Sequence, residues 1–238
     1  MTDAALIWSY LSQEPLLWLT ATLIAYFLGD SFFRRMNRQS WANPVLVAVI
    51  LLSLVLWLTG TGYQTYFEGA QFVHFMLGPA TVALGMPLYD NLRRVRKALA
   101  PLVAALVAGS VTAVVSVLAI GKAFGLNEVM LASLAPKSTT APVAIGIAEG
   151  LGGEPTITAV LVLLTGIFGA IIATPLLNAL GIRDWRARGF SLGVAAHGIG
   201  TARAFQVNET AGAFAGIGMG LNAVLTSIIA PLALHLFQ

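Results

Sequence analysis

The chain has 238 residues, of which 58% are hydrophobic and only 10% are charged. An ordinary soluble domain carries about 25% charged residues, so this chain lacks the polar side chains that a water-facing surface requires. Its net charge is +3, and it contains no Cys, which excludes a disulfide framework and a thiolate metal site. The composition predicts an all-α polytopic membrane protein, because helices satisfy their own backbone hydrogen bonds within lipid.

Eight apolar stretches approach the length of about 20 residues that a helix needs to cross the hydrocarbon core. They cover residues 15–33, 44–60, 72–89, 98–120, 127–149, 155–180, 189–205 and 210–237. The loops between them are short, and none resembles a soluble domain or a flexible linker. We therefore expect one integral membrane domain over residues 1–238, with about six to eight membrane segments.

Most of the basic residues lie in three clusters between these stretches. The clusters are Arg34, Arg35 and Arg38; Arg93, Arg94, Arg96 and Lys97; and Arg183, Arg186 and Arg188. Such clusters mark cytoplasmic loops. All three lie on the cytoplasmic side only if stretch 127–149 does not cross the membrane. The charge pattern therefore predicts that 127–149 is re-entrant, with two half-helices that meet at residues 137–141.

Helix-breaking residues interrupt three of the stretches. They are Gly78, Pro79 and Pro87 in 72–89, Pro136 and Pro142 in 127–149, and Gly193, Gly198 and Gly200 in 189–205. Broken backbone at membrane depth must be buried in protein or line a wet cavity, although simple kinks are the alternative interpretation. Residues 82–85 and 143–146 read Val-Ala-Leu-Gly and Val-Ala-Ile-Gly, a short echo that is compatible with the inverted repeat of many secondary transporters.

Lys137 lies in the middle of stretch 127–149, where a charge costs roughly 2.5–3.5 kcal/mol on insertion scales and is usually kept for a function. Pro142 is expected to begin a new half-helix, whose first N–H groups and dipole attract an anion. Neighbouring hydroxyls add hydrogen-bond donors, namely Ser138, Thr139 and Thr140. This combination predicts a carboxylate site. In the alternative interpretation Lys137 pairs with Glu149 or Glu154, or reaches the membrane surface.

Arg203 is the second cation within an apolar stretch. Its planar guanidinium suits a carboxylate, Thr201 can cap the next helical turn, and two nearby glycines permit a bend. His197 can donate a hydrogen bond or exchange a proton, since an unperturbed imidazole titrates near neutral pH. Two alternatives remain open, that Arg203 pairs with Glu209 near the cytoplasmic interface and that His197 is structural. Thr81, just after the first interruption, is a weaker candidate for the same anion site.

The sequence contains no catalytic, cofactor or metal motif: no Ser/His/Asp spacing, no paired carboxylates, no phosphate-binding glycine loop and no cluster of metal ligands. We therefore expect a protein that is not an enzyme and that needs no cofactor or metal. The basic clusters are typical of loops rather than of nucleic-acid binding. Gly212, Gly216 and Gly220 recur at every fourth residue, which suits close helix packing within the protein or with a partner.

Four stretches resemble the LrgB/CidB family of antiholin-like membrane proteins. They are PKSTTAPVA at 136–144, GFSLG at 189–193 with AHGIGTAR at 196–203, PATVAL at 79–84 with PLY at 87–89, and Asn43-Pro44. The resemblance covers almost the whole chain, and its two long motifs are specific. Ala141 and the pair Gly85-Met86 depart from the family pattern.

The resemblance implies two functions. One is holin-like or antiholin-like modulation of murein hydrolase activity and autolysis, together with an LrgA/CidA-type partner. The other is transport of small monocarboxylates such as glycolate, glycerate, pyruvate or lactate, as in the related plastid glycolate/glycerate translocator. A cation beside a half-helix favours transport, because a lesion-forming holin has no need of it.

We therefore expect a multi-pass protein of the inner (plasma) membrane that carries a small carboxylate anion by alternating access, with proton coupling. The holin-like function is the alternative, and a non-transporting scaffold is a third interpretation. The sequence leaves open whether the protein acts alone, as a homo-oligomer or with the LrgA/CidA-type partner.

Overall fold

The computed structural model describes residues 14–76, 79 and 99–237, whose regular secondary structure is helical throughout. Contacts divide the chain into two compact units, Met1–Ala83 and Leu84–Gln238. Four of the described helices are long and apolar enough to cross a membrane, namely Pro15–Arg35, Leu99–Ala123, Pro155–Ala179 and Glu209–Phe237. The predicted all-α polytopic membrane protein is confirmed.

Several sequence features lie outside the described residues. They are Thr81, the Gly78 side of the first interruption, Pro87, the basic cluster at 93–97 and the echo at 82–85. The predictions that concern them stay predictions.

The first unit contains α1 (Pro15–Arg35), a short 3-10 helix (Ser40–Ala42), α2 (Pro44–Thr59) and α3 (Tyr63–Phe75). Asn43 begins α2, because its side chain accepts hydrogen bonds from the N–H groups of Val45 at 2.8 Å and Leu46 at 3.3 Å. The sequence did not predict α3 as a separate helix, since its polar residues make it less apolar than a membrane span. It packs on α1, where Trp18 and Tyr66 meet edge to face at 5.8 Å.

The described part of the second unit, residues 99–237, contains six helices. They are α4 (Leu99–Ala123), α5 (Glu128–Leu134), α6 (Ala141–Gly150), α7 (Pro155–Ala179), α8 (Trp185–Val207) and α9 (Glu209–Phe237). Their bounds agree with the apolar stretches predicted from 98 onward to within a few residues.

Helices α4 and α9 run parallel and form the framework of the second unit. Their N-terminal halves share one apolar cluster, which contains Leu106 and Ile217. Their C-terminal halves share another, which contains Leu118 and Leu234. The buried residues of α4 recur at about every fourth position along the helix, which is the stripe that packing against a single neighbour requires.

Candidate functional site

The first broken segment (residues 128–150) consists of α5, a non-helical break at 135–140, and α6. The N–H of Glu154 donates to Oγ of Ser133 at 2.7 Å, and Oγ1 of Thr158 donates to the Ser133 carbonyl at 3.3 Å. A continuous helix would separate Ser133 and Glu154 by about 30 Å. The chain therefore folds back on itself between these residues, which is the geometry that the re-entrant prediction requires.

Local sequence explains where the first broken segment stops and restarts. Oγ1 of Thr139 donates to the Pro136 carbonyl at 2.9 Å and stabilises the turn. Thr140 is the N-cap residue of α6, and Pro142 lies in its first turn, as the sequence predicted. The Thr140 side chain makes no capping hydrogen bond, so it does not occupy the N–H groups that begin α6.

The second broken segment (residues 185–207) is α8, which is interrupted at Ala196 (φ −133°, ψ 19°) and His197 (φ 41°, ψ −134°). Trp185 and Val207 line the same small cavity, although a continuous helix would place them about 33 Å apart. The second segment therefore also folds back. The interruption lies just before Gly198 and Gly200, the two glycines that predicted a bend. Gly200 has a different role: it lets the second half of α8 pack closely against the first half, because a Cβ at this position would be 2.7 Å from the Leu192 carbonyl oxygen.

A hydrogen bond holds His197 in its left-handed conformation. Its Nε2 lies 2.9 Å from the Val162 carbonyl of α7, so this nitrogen carries the proton and donates. Gly166, one turn further along α7, leaves room for the ring, since a Cβ there would lie 2.6 Å from Cε1 of His197. A positive φ at a residue other than glycine costs free energy and persists only where the surroundings enforce it.

The two broken segments approach α9 from opposite ends. The first packs on the C-terminal half of α9, where Ala135 shares an apolar cluster with Ala230. The second packs on the N-terminal half, where Gly193 lies against the Ala215 backbone so closely that no side chain would fit. Since α7 begins beside the first segment and ends beside the second, it runs antiparallel to α4 and α9.

The two breaks meet near the middle of α9, on successive turns. Nδ2 of Asn222 donates to the Ser138 carbonyl at 3.1 Å, and Oγ1 of Thr201 lies 3.9 Å from Sδ of Met219. Lys137 directly precedes Ser138, and the His197 carbonyl accepts from Oγ1 of Thr201 at 2.8 Å, so each break carries one of these two side chains beside this part of α9. A helix followed by a fold-back segment thus occurs twice in opposite directions, which is the pattern of an inverted repeat.

The structure brings together six of the eight residues that the sequence singled out. They are Lys137, Ser138, Thr139 and Thr140 in the first break, and His197 and Thr201 in the second. Among the described residues Lys137 forms no salt bridge with Glu149 or Glu154, the partners considered from the sequence.

Arg203 lies apart from the breaks, six residues beyond His197, with 7% of its surface exposed. It lines the small cavity that also contains Trp185 and Arg188, at the end where the second segment begins and ends. The Arg188 guanidinium stacks over the Trp185 ring at 5.0 Å. Hydrogen bonds from the Arg186 side chain to Asp184 lower the pKa of that carboxyl to about 2, so the basic loop keeps one negative charge.

Sequence reasoning missed Asn222. Its side chain is fully buried and accepts hydrogen bonds from two other fully buried side chains, Ser110 of α4 and Thr226 of α9. An amide in the middle of an apolar span is a signal that could have found this site, because polar groups at that depth need partners.

Comparison with known proteins identifies the family. Residues 22–236 match the LrgB-like family. The chain belongs to this family. This LrgB-like protein is 33% identical to the holin-like protein CidB of Staphylococcus epidermidis over 224 residues, which are 94% of this chain and 97% of that one. It is 38% identical to the uncharacterized protein YxaC of Bacillus subtilis over 217 residues, 91% of this chain and 94% of the relative.

The holin-like protein CidB of Staphylococcus aureus (strain N315) is 31% identical over 227 residues, 94% of this chain and 97% of the relative. No solved structure matches the chain. The resemblance inferred from the four motifs is confirmed, and so is a multi-pass protein of the cell membrane.

Proposed function

We propose that this LrgB-like protein carries small monocarboxylates of the glycolate, glycerate, pyruvate or lactate type across the membrane by alternating access. One observation carries the proposal: two fold-back segments, one holding Lys137 and the other His197, reach successive turns near the middle of α9. Broken helices of this kind form the substrate sites of many secondary transporters.

The first break supplies the groups that a carboxylate needs. Lys137 provides a full positive charge, and the first turn of α6 provides N–H donors and the positive end of the helix dipole. The Thr140 hydroxyl makes no capping hydrogen bond to α6, and in the proposed site it donates to the anion or to its 2-hydroxy group. Ser138 and Thr139 are buried and shape the break.

The second break supplies the facing side of the site. Thr201 donates to the His197 carbonyl at 2.8 Å, and this bond stabilises the turn that presents the imidazole. His197 takes up and releases the coupled proton in the proposed cycle, because imidazole is a side chain that can exchange a proton and this ring lies at the second break. Arg203 is a second cation on the anion's route toward the Trp185 end, and Thr81 stays a predicted member of the site.

Alternating access follows from the direction of the two segments. Each segment comes from a different end of α9, so each can close the route on its own side of the site. A movement of one segment relative to the α4–α9 framework would open one route while the other stays closed. A holin-like pore has no need of two opposed closures.

The holin-like function is the second candidate, because the relatives from Staphylococcus epidermidis and Staphylococcus aureus are named holin-like protein CidB. In this alternative the protein modulates murein hydrolase activity and autolysis, with an LrgA/CidA-type partner or as a homo-oligomer. It predicts leakage that does not depend on the chemistry of the solute.

The experiment that separates the two functions uses purified protein in liposomes. Counterflow of labelled glycolate, glycerate, pyruvate and lactate is measured beside release of trapped carboxyfluorescein. We expect saturable counterflow of at least one carboxylate without dye release. Dye release without counterflow, with or without an LrgA/CidA-type partner, would favour the holin-like function.

A further inference from the structure

Asn222 is a fully buried amide in the middle of α9, and its oxygen and its nitrogen form hydrogen bonds with different parts of the second unit. Its Oδ1 accepts from Oγ of Ser110 at 2.6 Å and from Oγ1 of Thr226 at 3.2 Å. Its Nδ2 donates to the Ser138 carbonyl at 3.1 Å. The oxygen therefore faces the α4–α9 framework, and the nitrogen faces the first break.

The bond to Ser138 fixes the orientation of a peptide next to Lys137. A carbonyl oxygen carries partial negative charge, and it would repel an anion if it pointed into the site. Because the Ser138 carbonyl points at Asn222, its negative end is directed toward α9. The same bond fixes the peptide that connects Lys137 to the start of α6.

We propose that Asn222 is a positioning residue for the anion site, through its donation to the Ser138 carbonyl. This inference rests on the proposed transport function. In the competing role Asn222 is only structural: its hydrogen bond with Ser110 stabilises the packing of α4 on α9, as polar side chains often do between membrane helices.

Two substitutions separate these roles, because one changes the hydrogen bond from Asn222 to Ser138 and the other removes the hydrogen bond from Ser110 to Asn222. Asn222→Asp keeps an acceptor for Ser110 and Thr226 but places an oxygen opposite the Ser138 carbonyl. The ionised carboxylate repels this carbonyl and the substrate anion, whereas the protonated acid donates to the carbonyl as the amide does. Ser110→Ala removes the framework bond and keeps the bond to Ser138.

The test measures KM and Vmax for uptake of the carboxylate that the wild type transports, at a series of pH values equal on both sides of the liposome membrane. Thermal unfolding in detergent is measured for the same variants. For Asn222→Asp we expect KM to rise about tenfold or more at alkaline pH, since a buried hydrogen bond is replaced by a repulsion. The ratio of its KM to that of wild type should fall as the pH is lowered and the carboxyl is protonated.

The matched control is Ser110→Ala, which should unfold at a lower temperature while its KM stays within about twofold of wild type. Asn222→Gln keeps both hydrogen-bonding groups on a longer side chain, and it should raise KM without any added pH dependence.

Wild-type KM in both Asn222 variants would overturn the inference, and so would a KM in Ser110→Ala as high as that in Asn222→Asp. A wild-type protein without saturable uptake would instead overturn the proposed function itself.

Discussion

The N–H of Glu154 donates a 2.7 Å hydrogen bond to Oγ of Ser133, which lies 21 positions earlier in the chain. This bond brings the two ends of the first broken segment together. The segment consequently leaves and returns at the same end of α9, and Lys137 lies at its tip instead of partway along a membrane-crossing helix.

The first prediction concerns this topology. The chain has no Cys, so single cysteines can be introduced without further changes. In intact cells or oriented vesicles, a membrane-impermeant maleimide should label Glu128→Cys and Glu149→Cys from the same side, since both positions are exposed at the open end of the segment. Arg186→Cys should be labelled from the opposite side. Labelling of positions 128 and 149 from opposite sides would show that this segment crosses the membrane.

The second prediction concerns the space around His197. In Gly166→Ala the new Cβ would lie 2.6 Å from Cε1 of His197 and 2.8 Å from Cδ1 of Ile199. Overpacking of this kind costs about 1–3 kcal/mol, so the unfolding temperature in detergent should fall and uptake should weaken. Gly220→Ala is the control, because its added Cβ would meet no side chain and no neighbouring helix within 4 Å. Equal stability of the two variants would contradict the packing described for the second break.

The third prediction concerns proton coupling. The amide of His197→Gln can donate to the Val162 carbonyl in place of Nε2, but it does not take up a proton. Uptake by this variant should no longer increase when an inward proton gradient is imposed, while exchange of substrate across the membrane continues. His235→Gln, at the exposed end of α9, should keep the response of wild type. A full response to the gradient in His197→Gln would assign the coupling to another group.

Hydropathy and charge predicted most of the fold because they depend on local chemistry. The apolar stretch 155–180 became α7 (Pro155–Ala179), and the prolines at 136 and 142 located the first break correctly. Helix α3 was not predicted, since its residues are too polar for a span and its stability comes from packing on Trp18.

The site was less accessible to sequence reasoning, because its contacts join residues far apart in the chain. Two hydrogen-bond partners of Asn222, Ser138 and Ser110, lie 84 and 112 positions away in the chain. No pattern in the sequence around Asn222 predicts these contacts. The glycines predicted a bend near His197, but the residue that takes the positive φ is His197 itself, held by a carbonyl 35 positions earlier.

In the proposed function Lys137 binds the transported carboxylate, and uptake by Lys137→Ala in liposomes shows whether transport needs this side chain. The control is Lys122→Ala, which removes an exposed lysine that donates to the Phe237 carbonyl at the end of α4. We expect both variants to insert and unfold like wild type, with uptake of the carboxylate that the wild type transports lost only in Lys137→Ala. Saturable uptake by Lys137→Ala with the KM of wild type would contradict the account.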